Sequence, residues 1–169
     1  ETYLELENRC VDLIALQQPV ASDLRFVTAS FKIITDLERV GDLAVNLAQY
    51  ALAERPTHTP EVGVADIGRD AKALLERSLD AYESGDADAC RTISADDDAI
   101  DALCQRASET VTRNLIERGG DDPWSVERLL DEVSRVLLTV RDLERIADHA
   151  VNVAARTLYM VENDPELLY

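Results

Sequence analysis

Residues 35–48 read TDLERVGDLAVNLA, and residues 141–154 read RDLERIADHAVNVA; nine of the fourteen positions are identical. The same segment is written twice, 106 residues apart. Around each copy the apolar residues recur with a seven-residue period, which is a long helix packing along a seam. In the first copy the seam reads Leu24, Val27, Phe31, Ile34, Glu38, Gly41, Val45, Ala48, Leu52. Adding 106 gives Leu130, Val133, Leu137, Val140, Glu144, Ala147, Val151, Ala154, Leu158, so the repeat is much longer than its identical core. A second stripe (Ile33, Leu37, Val40, Ala44, Leu47, Ala51) lies beside the first seam. Two stripes mean two packing partners, as in a three-helix bundle. The expected fold is therefore all-α, with two elongated three-helix bundles in tandem.

Punctuation elsewhere supports this. A helical pattern over 1–17 stops at Gln17-Gln18-Pro19, and a long helix over 20–54 stops before Pro56. RPTHTPEVG at 55–63 holds two prolines and a glycine and reads as a linker. A third helix covers 64–84 and breaks at Gly85-Asp86, where Asp86 can cap a fourth over 87–118. Gly119-Gly120-Asp121-Asp122-Pro123 separates that helix from a fifth, 124–162, with Trp124 expected at the bundle end. The expected units are an incomplete first repeat, 1–56, a linker, 57–63, and a second repeat, 64–162.

Composition narrows the function. The 169 residues carry 34 acidic and 17 basic side chains, a net charge of −17. That field repels nucleic acid and anionic membrane. Lys32 and Lys72 are the lysines; the other cations are arginines. An acidic, lysine-poor surface suits a cytoplasm of very high salt, so a halophilic archaeal source is expected. Cys10, Cys90 and Cys104 fall inside helical pattern and read as reduced packing residues. No apolar run is long enough to span a bilayer, and the reading is of a soluble, cytoplasmic chain.

Glu38 and Glu144 interrupt their seams where an apolar residue belongs. Asp42 and Asn46 follow the first at i+4 and i+8, as Asp148 and Asn152 follow the second. Residues four apart share a helix face, so each triplet is a polar strip beside a seam. A carboxylate pointing into a bundle needs an arginine, a proton or a metal. Folding the chain back at Asp121 sets Asp98 level with Glu144, each 23 residues from the pivot. Asp97, Asp98 and Asp101 of SADDDAID then face Glu144 and Asp148, with Arg145 and Arg106 nearby. An oxygen-rich, nitrogen-poor cluster suits hard cations such as Mg²⁺, Mn²⁺ or iron. The same construction about Gln18 puts the counterpart of Glu38 upstream of Glu1, so a further helix is expected before the first bundle.

Other chemistry is thinly represented. There is no Glu-x-x-His motif, no glycine-rich phosphate loop and no evident nucleophile–base pair. His149 is rotated about 100° from Asp148 on the helix, which favours a hydrogen-bonding or surface role over ligation. Asp23 complements the dipole at its helix start, and Arg25 beside it is a candidate docking residue.

QQPVASDLRFVTASFKIITDLERVGDLAVNLA (17–48), SADDDAIDAL (94–103) and RDLERIADHAVNVA (141–154) together resemble the PhoU family of phosphate-uptake regulators. The resemblance covers nearly the whole chain. It implies two tandem three-helix bundles with pseudo-twofold symmetry. It implies metal clusters, often iron or zinc, on E(D)xxxD motifs. Those residues are Glu38 and Asp42 in the first repeat and Glu144 and Asp148 in the second, with Asp97 and Asp101 facing the latter. It further implies a non-catalytic cytoplasmic regulator that meets the ATPase subunit of a phosphate ABC importer, a sensor histidine kinase, or both. A homodimer or higher oligomer is expected, with the membrane reached only through the transporter. The family chain begins earlier than this one, so the first metal site lacks its acidic helix start here. Two alternatives stay open: a di-metal carboxylate enzyme, and a PhoU-like domain serving another transporter or a transcriptional circuit.

Overall fold

The computed structural model describes residues 2–53, 62–118 and 123–168, apart from the side chains of 118, 123–125 and 128. Five α-helices follow in order: α1 (Thr2–Gln17), α2 (Ala21–Leu52), α3 (Val64–Ser84), α4 (Ala87–Arg118) and α5 (Pro123–Glu162). A short 3₁₀ turn, Glu166–Leu168, follows α5. Each boundary lies within about two residues of the sequence expectation, because each is marked by local chemistry. Gly85 closes α3 in the left-handed conformation (φ 70°), which glycine adopts without a β-carbon clash. The Asp86 carboxylate accepts from the Ala89 amide at 2.9 Å, the expected cap of α4. The expected linker at 57–63 lies outside the described residues except for Val62 and Gly63, as do His58 and the side chain of Trp124.

α5 is the axis of the molecule. It packs against α2, α3 and α4, whereas α1 packs against α2. Its seam meets α3 and α4: Val133, Val140, Ala147, Ala154 and Leu158 are buried with Ile67, Leu74, Cys90, Ile93, Ile100, Cys104 and Val111. These residues form the core of a three-helix bundle, α3–α4–α5. The three cysteines are free and buried, as packing residues should be.

α2 uses its expected seam only in its first half, where Val27 is buried and Phe31 and Ile34 are partly buried. The stripe that turns inward is Ala29, Ile33, Asp36 and Leu43, with Val40 and Leu47 partly buried against the α3–α5 core. Glu38, Gly41, Val45, Ala48 and Leu52 of the seam face solvent. Both stripes of α2 are apolar, so hydrophobicity alone did not choose between them. The stripe that packs on the α3–α5 core is the one that faces α5, while α1 packs elsewhere on α2. α2 also meets α3, where Phe26 and Tyr82 stack at 6.4 Å and the Ser30 and Tyr82 hydroxyls share a 2.6 Å hydrogen bond.

The end of α5 is tied back by Arg91 of α4. Its guanidinium donates to Glu162 at 2.6 Å and also pairs with Asp164, Glu166 and Asp88. All five side chains are more than one third exposed, so solvent and salt screen the network. Arg91→Ala is expected to have only a small destabilising effect, shrinking in high salt, as read by urea unfolding at two ionic strengths.

Candidate metal centre

α4 and α5 run antiparallel, and the register places the acidic first half of α4 beside the middle of α5. The Cys104 thiol lies 4.0 Å from the Val140 carbonyl, which fixes that register near the site. One helical turn from Cys104, Asp101 and then Asp98 and Asp97 come level with Glu144 and Asp148. Asp96, next to them in sequence, is held apart: Arg77 of α3 donates to it at 2.6 Å. The arginine that would most simply neutralise the run is thereby spent on its first member.

The remaining carboxylates act on one another. Asp97 is pushed up to about 6, first by burial and then by Asp101, Asp148, Asp98 and Glu144. Glu144 is raised by burial, Asp101 and Asp148. Asp148 is raised by burial and Asp101, with His149 and Arg145 opposing. Burial and the Glu144, Asp101, Asp97 and Asp148 charges push the Cys104 thiol up to about 12, so it stays protonated. Asp97 and Glu144 are half-buried, whereas Asp98, Asp101 and Asp148 are exposed. Asp97 Oδ1 is buried without a hydrogen-bond partner.

Sequence spacing thus brings Asp97, Asp101, Glu144 and Asp148 near enough to act on one another, with Asp98 exposed beside Asp97. Glu38 and Asp42 are not among them. They stand exposed on α2, contrary to the expectation that Glu38 points into a bundle, because the second half of the α2 seam faces solvent. Among the described residues no three carboxylate, imidazole or thiol groups are gathered tightly enough to make a ready-formed ligand set. The donor set nevertheless fits a hard cation. It is all oxygen, it carries excess negative charge, and it includes one buried oxygen with nothing to bind.

Asp36 and Asp142 are the polar residues the sequence reading passed over. They are the second residue of each repeated segment, and both are buried, 1% and 0% exposed. Asp36 lies 3.0 Å from His149 Nδ1 and accepts from Arg156 Nη1 at 2.6 Å. His149 is therefore a buried hydrogen-bonding residue. Asp142 accepts from Tyr50 and Asn46 of α2. The aspartate's presence in both copies was the signal the sequence offered.

The molecule is an all-α repeat protein whose second repeat carries a carboxylate cluster between two antiparallel helices. The PhoU domain family model matches residues 1–51 and 64–157, leaving out the proline-bearing linker, and the chain belongs to that family. It is 33% identical over 159 residues to the phosphate-specific transport system accessory protein PhoU homolog of Pseudomonas aeruginosa, covering 92% of this chain and 62% of that protein. It is 33% identical over 164 residues to PhoU homolog 1 of Methanothermobacter thermautotrophicus, covering 95% of this chain and 71% of the relative. The crystal structure of PhoU from Pseudomonas aeruginosa superposes with a TM-score of 0.84 over 96% of this chain and 78% of that one, at 29% identity. The PhoU regulatory protein structure from Streptococcus pneumoniae gives the same TM-score at 25% identity, over 96% of this chain and 73% of that one. The chain spans less than two thirds of the length of the Pseudomonas relatives. Among the described residues no helix is long and apolar enough to cross a membrane. The names of these relatives describe accessory and regulatory proteins rather than enzymes.

Proposed function

We propose that this chain is a non-catalytic regulator of phosphate uptake and phosphate-starvation signalling. Membership of the PhoU domain family and relatives named for the phosphate-specific transport system support that reading. It works in the cytoplasm of a salt-tolerant cell, by contact with the importer's ATPase subunit, a sensor kinase, or both, and as a homodimer or larger assembly. The acidic surface, at −17, makes a basic partner face the natural counterpart.

The α4–α5 cluster binds a divalent or trivalent cation, with iron, zinc, manganese and magnesium as the candidates. The carrying observation is Asp97, raised to about 6 among four other carboxylates and with one buried oxygen unpaired. Asp97, Asp101, Glu144 and Asp148 hold the ion, with Asp98 at the rim. Once bound, the cation neutralises the mutual repulsion and pins α4 to α5. The residues themselves supply oxygen donors and orientation, and no bond is made or broken.

The test is metal content. After incubation with Mn²⁺, Fe²⁺ or Zn²⁺ and desalting, elemental analysis should find bound metal in the unaltered protein. Glu144→Ala with Asp148→Ala should lose at least tenfold of it, with the helical circular dichroism spectrum kept. Unchanged metal content in the double variant would reject this site.

A further inference from the structure

Asp36 and Asp142 are 106 residues apart, and so are Tyr50 and Arg156. Across the antiparallel α2–α5 contact Asp36 bonds to Arg156, and Asp142 bonds to Tyr50. The two repeats therefore grip each other through one interaction used twice, about a local pseudo-twofold axis. The buried Leu43, 106 residues before His149, occupies the middle of that contact.

The two grips are unequal in chemistry. Asp36 has a charged donor at 2.6 Å and an imidazole nitrogen at 3.0 Å. Asp142, although fully buried, has a phenol at 3.2 Å, an amide at 3.4 Å and the adjacent Arg141 at 3.3 Å. Charge-assisted bonds are shorter and roughly twice as strong as neutral ones. Apolar packing differs in the same sense: on the face turned toward α5, Ala29 and Ile33 are buried on the Asp36 side, whereas Leu47 beside Tyr50 is only partly buried and Ala51 is exposed.

We propose that Asp36–Arg156–His149 and Asp142–Tyr50–Asn46 form a strong and a weak latch, so that α2 parts from α5 starting at its C-terminal end while the Asp36 end holds. Opening uncovers Leu47 and then Leu43, which otherwise pack on the α3–α5 core. It also returns the Asp142 carboxylate to water. The position of residue 50 in the repeat decides the difference: a tyrosine stands where the second repeat has an arginine. The device concerns the repeat contact and stands or falls independently of cation binding.

Native-state hydrogen–deuterium exchange of the full chain reads the opening directly. Peptides within 44–52 should exchange at least tenfold faster than those within 29–37. Tyr50→Arg, which supplies Asp142 with the partner that Asp36 has, should slow the 44–52 peptides several-fold. Tyr50→Phe, which deletes the Tyr50–Asp142 bond and keeps the ring, should speed them several-fold and leave 29–37 unchanged. Arg156→Tyr should speed 29–37 and narrow the difference between the two ends. Equal exchange at the two ends of α2 would overturn the proposal. So would a Tyr50→Phe protein whose 44–52 peptides exchange as in the unaltered chain, an outcome readable even if Tyr50→Arg fails to fold.

Discussion

Asp36→Ala is expected to lower the unfolding free energy by about 3–4 kcal/mol at neutral pH. Asp36 is 1% exposed and receives Arg156 at 2.6 Å and His149 at 3.0 Å. A buried pair adds little net stability when compared with apolar residues of the same shape. Removing one member is a different matter, because the other charge is left in a poorly solvated place. Arg156 retains some exposure, 22% of its side chain, and this keeps the estimate toward the lower end of the range for buried pairs. For a chain of this size the midpoint of thermal unfolding should fall by about 10 °C. Asp142→Ala should fall short of this, since its α2 partners are neutral and the Arg141 side chain can turn to water. Thermal unfolding followed by circular dichroism measures both. A loss below about 1 kcal/mol for Asp36→Ala would show that the network is not a structural tie.

The second large effect is pH dependence. Asp97 has a folded value of about 6 against an ordinary 3.8, and Glu144 and Asp148 are raised with it. A raised carboxylate binds its proton more tightly in the folded state than in the unfolded one. Below about pH 4 both states hold the proton and there is no penalty. As pH rises from about 4 to about 6 the unfolded chain releases it first, so stability declines, and above about 6 the full penalty is present. Asp97 is partly open to solvent, and screening reduces its share to about 1–2 kcal/mol. Asp97→Asn should therefore stabilise the cation-free protein by that amount at pH 7 and have little effect at pH 4. Urea unfolding at the two pH values in chelator makes the comparison. A variant equally stable or less stable than the unaltered protein at pH 7 would mean that the cluster is already neutralised by protein groups. Added Mn²⁺ should stabilise the unaltered chain more than the variant, which is the proposed cation acting on the same penalty.

The helices and the α4–α5 site could be read without coordinates because both are set nearby in the chain. Gly85 and Asp86 mark a boundary by backbone conformation and capping, which need no distant partner. Counting outward from one short turn then levels Asp97, Asp98 and Asp101 with Glu144 and Asp148. A rise of about 1.5 Å per residue accumulates little error over two dozen residues. The repeat at a spacing of 106 residues announced two related helices. It also misled, because equal sequence suggested equal surroundings for Glu38 and Glu144.

The amino-acid sequence by itself determined where each helix starts and stops, that two of them are copies, and which carboxylates meet across a hairpin. Each of these rests on local geometry. The tertiary structure alone decided which stripe of α2 is buried, and with it the exposure of Glu38 and Asp42 and the burial of Asp36. Both stripes offer similar apolar surface, so how far along the helix each is buried depends on the reach of the helices that pack there. Whether an aspartate such as Asp36 can be buried depends in turn on an arginine and a histidine more than a hundred residues away arriving at the same depth.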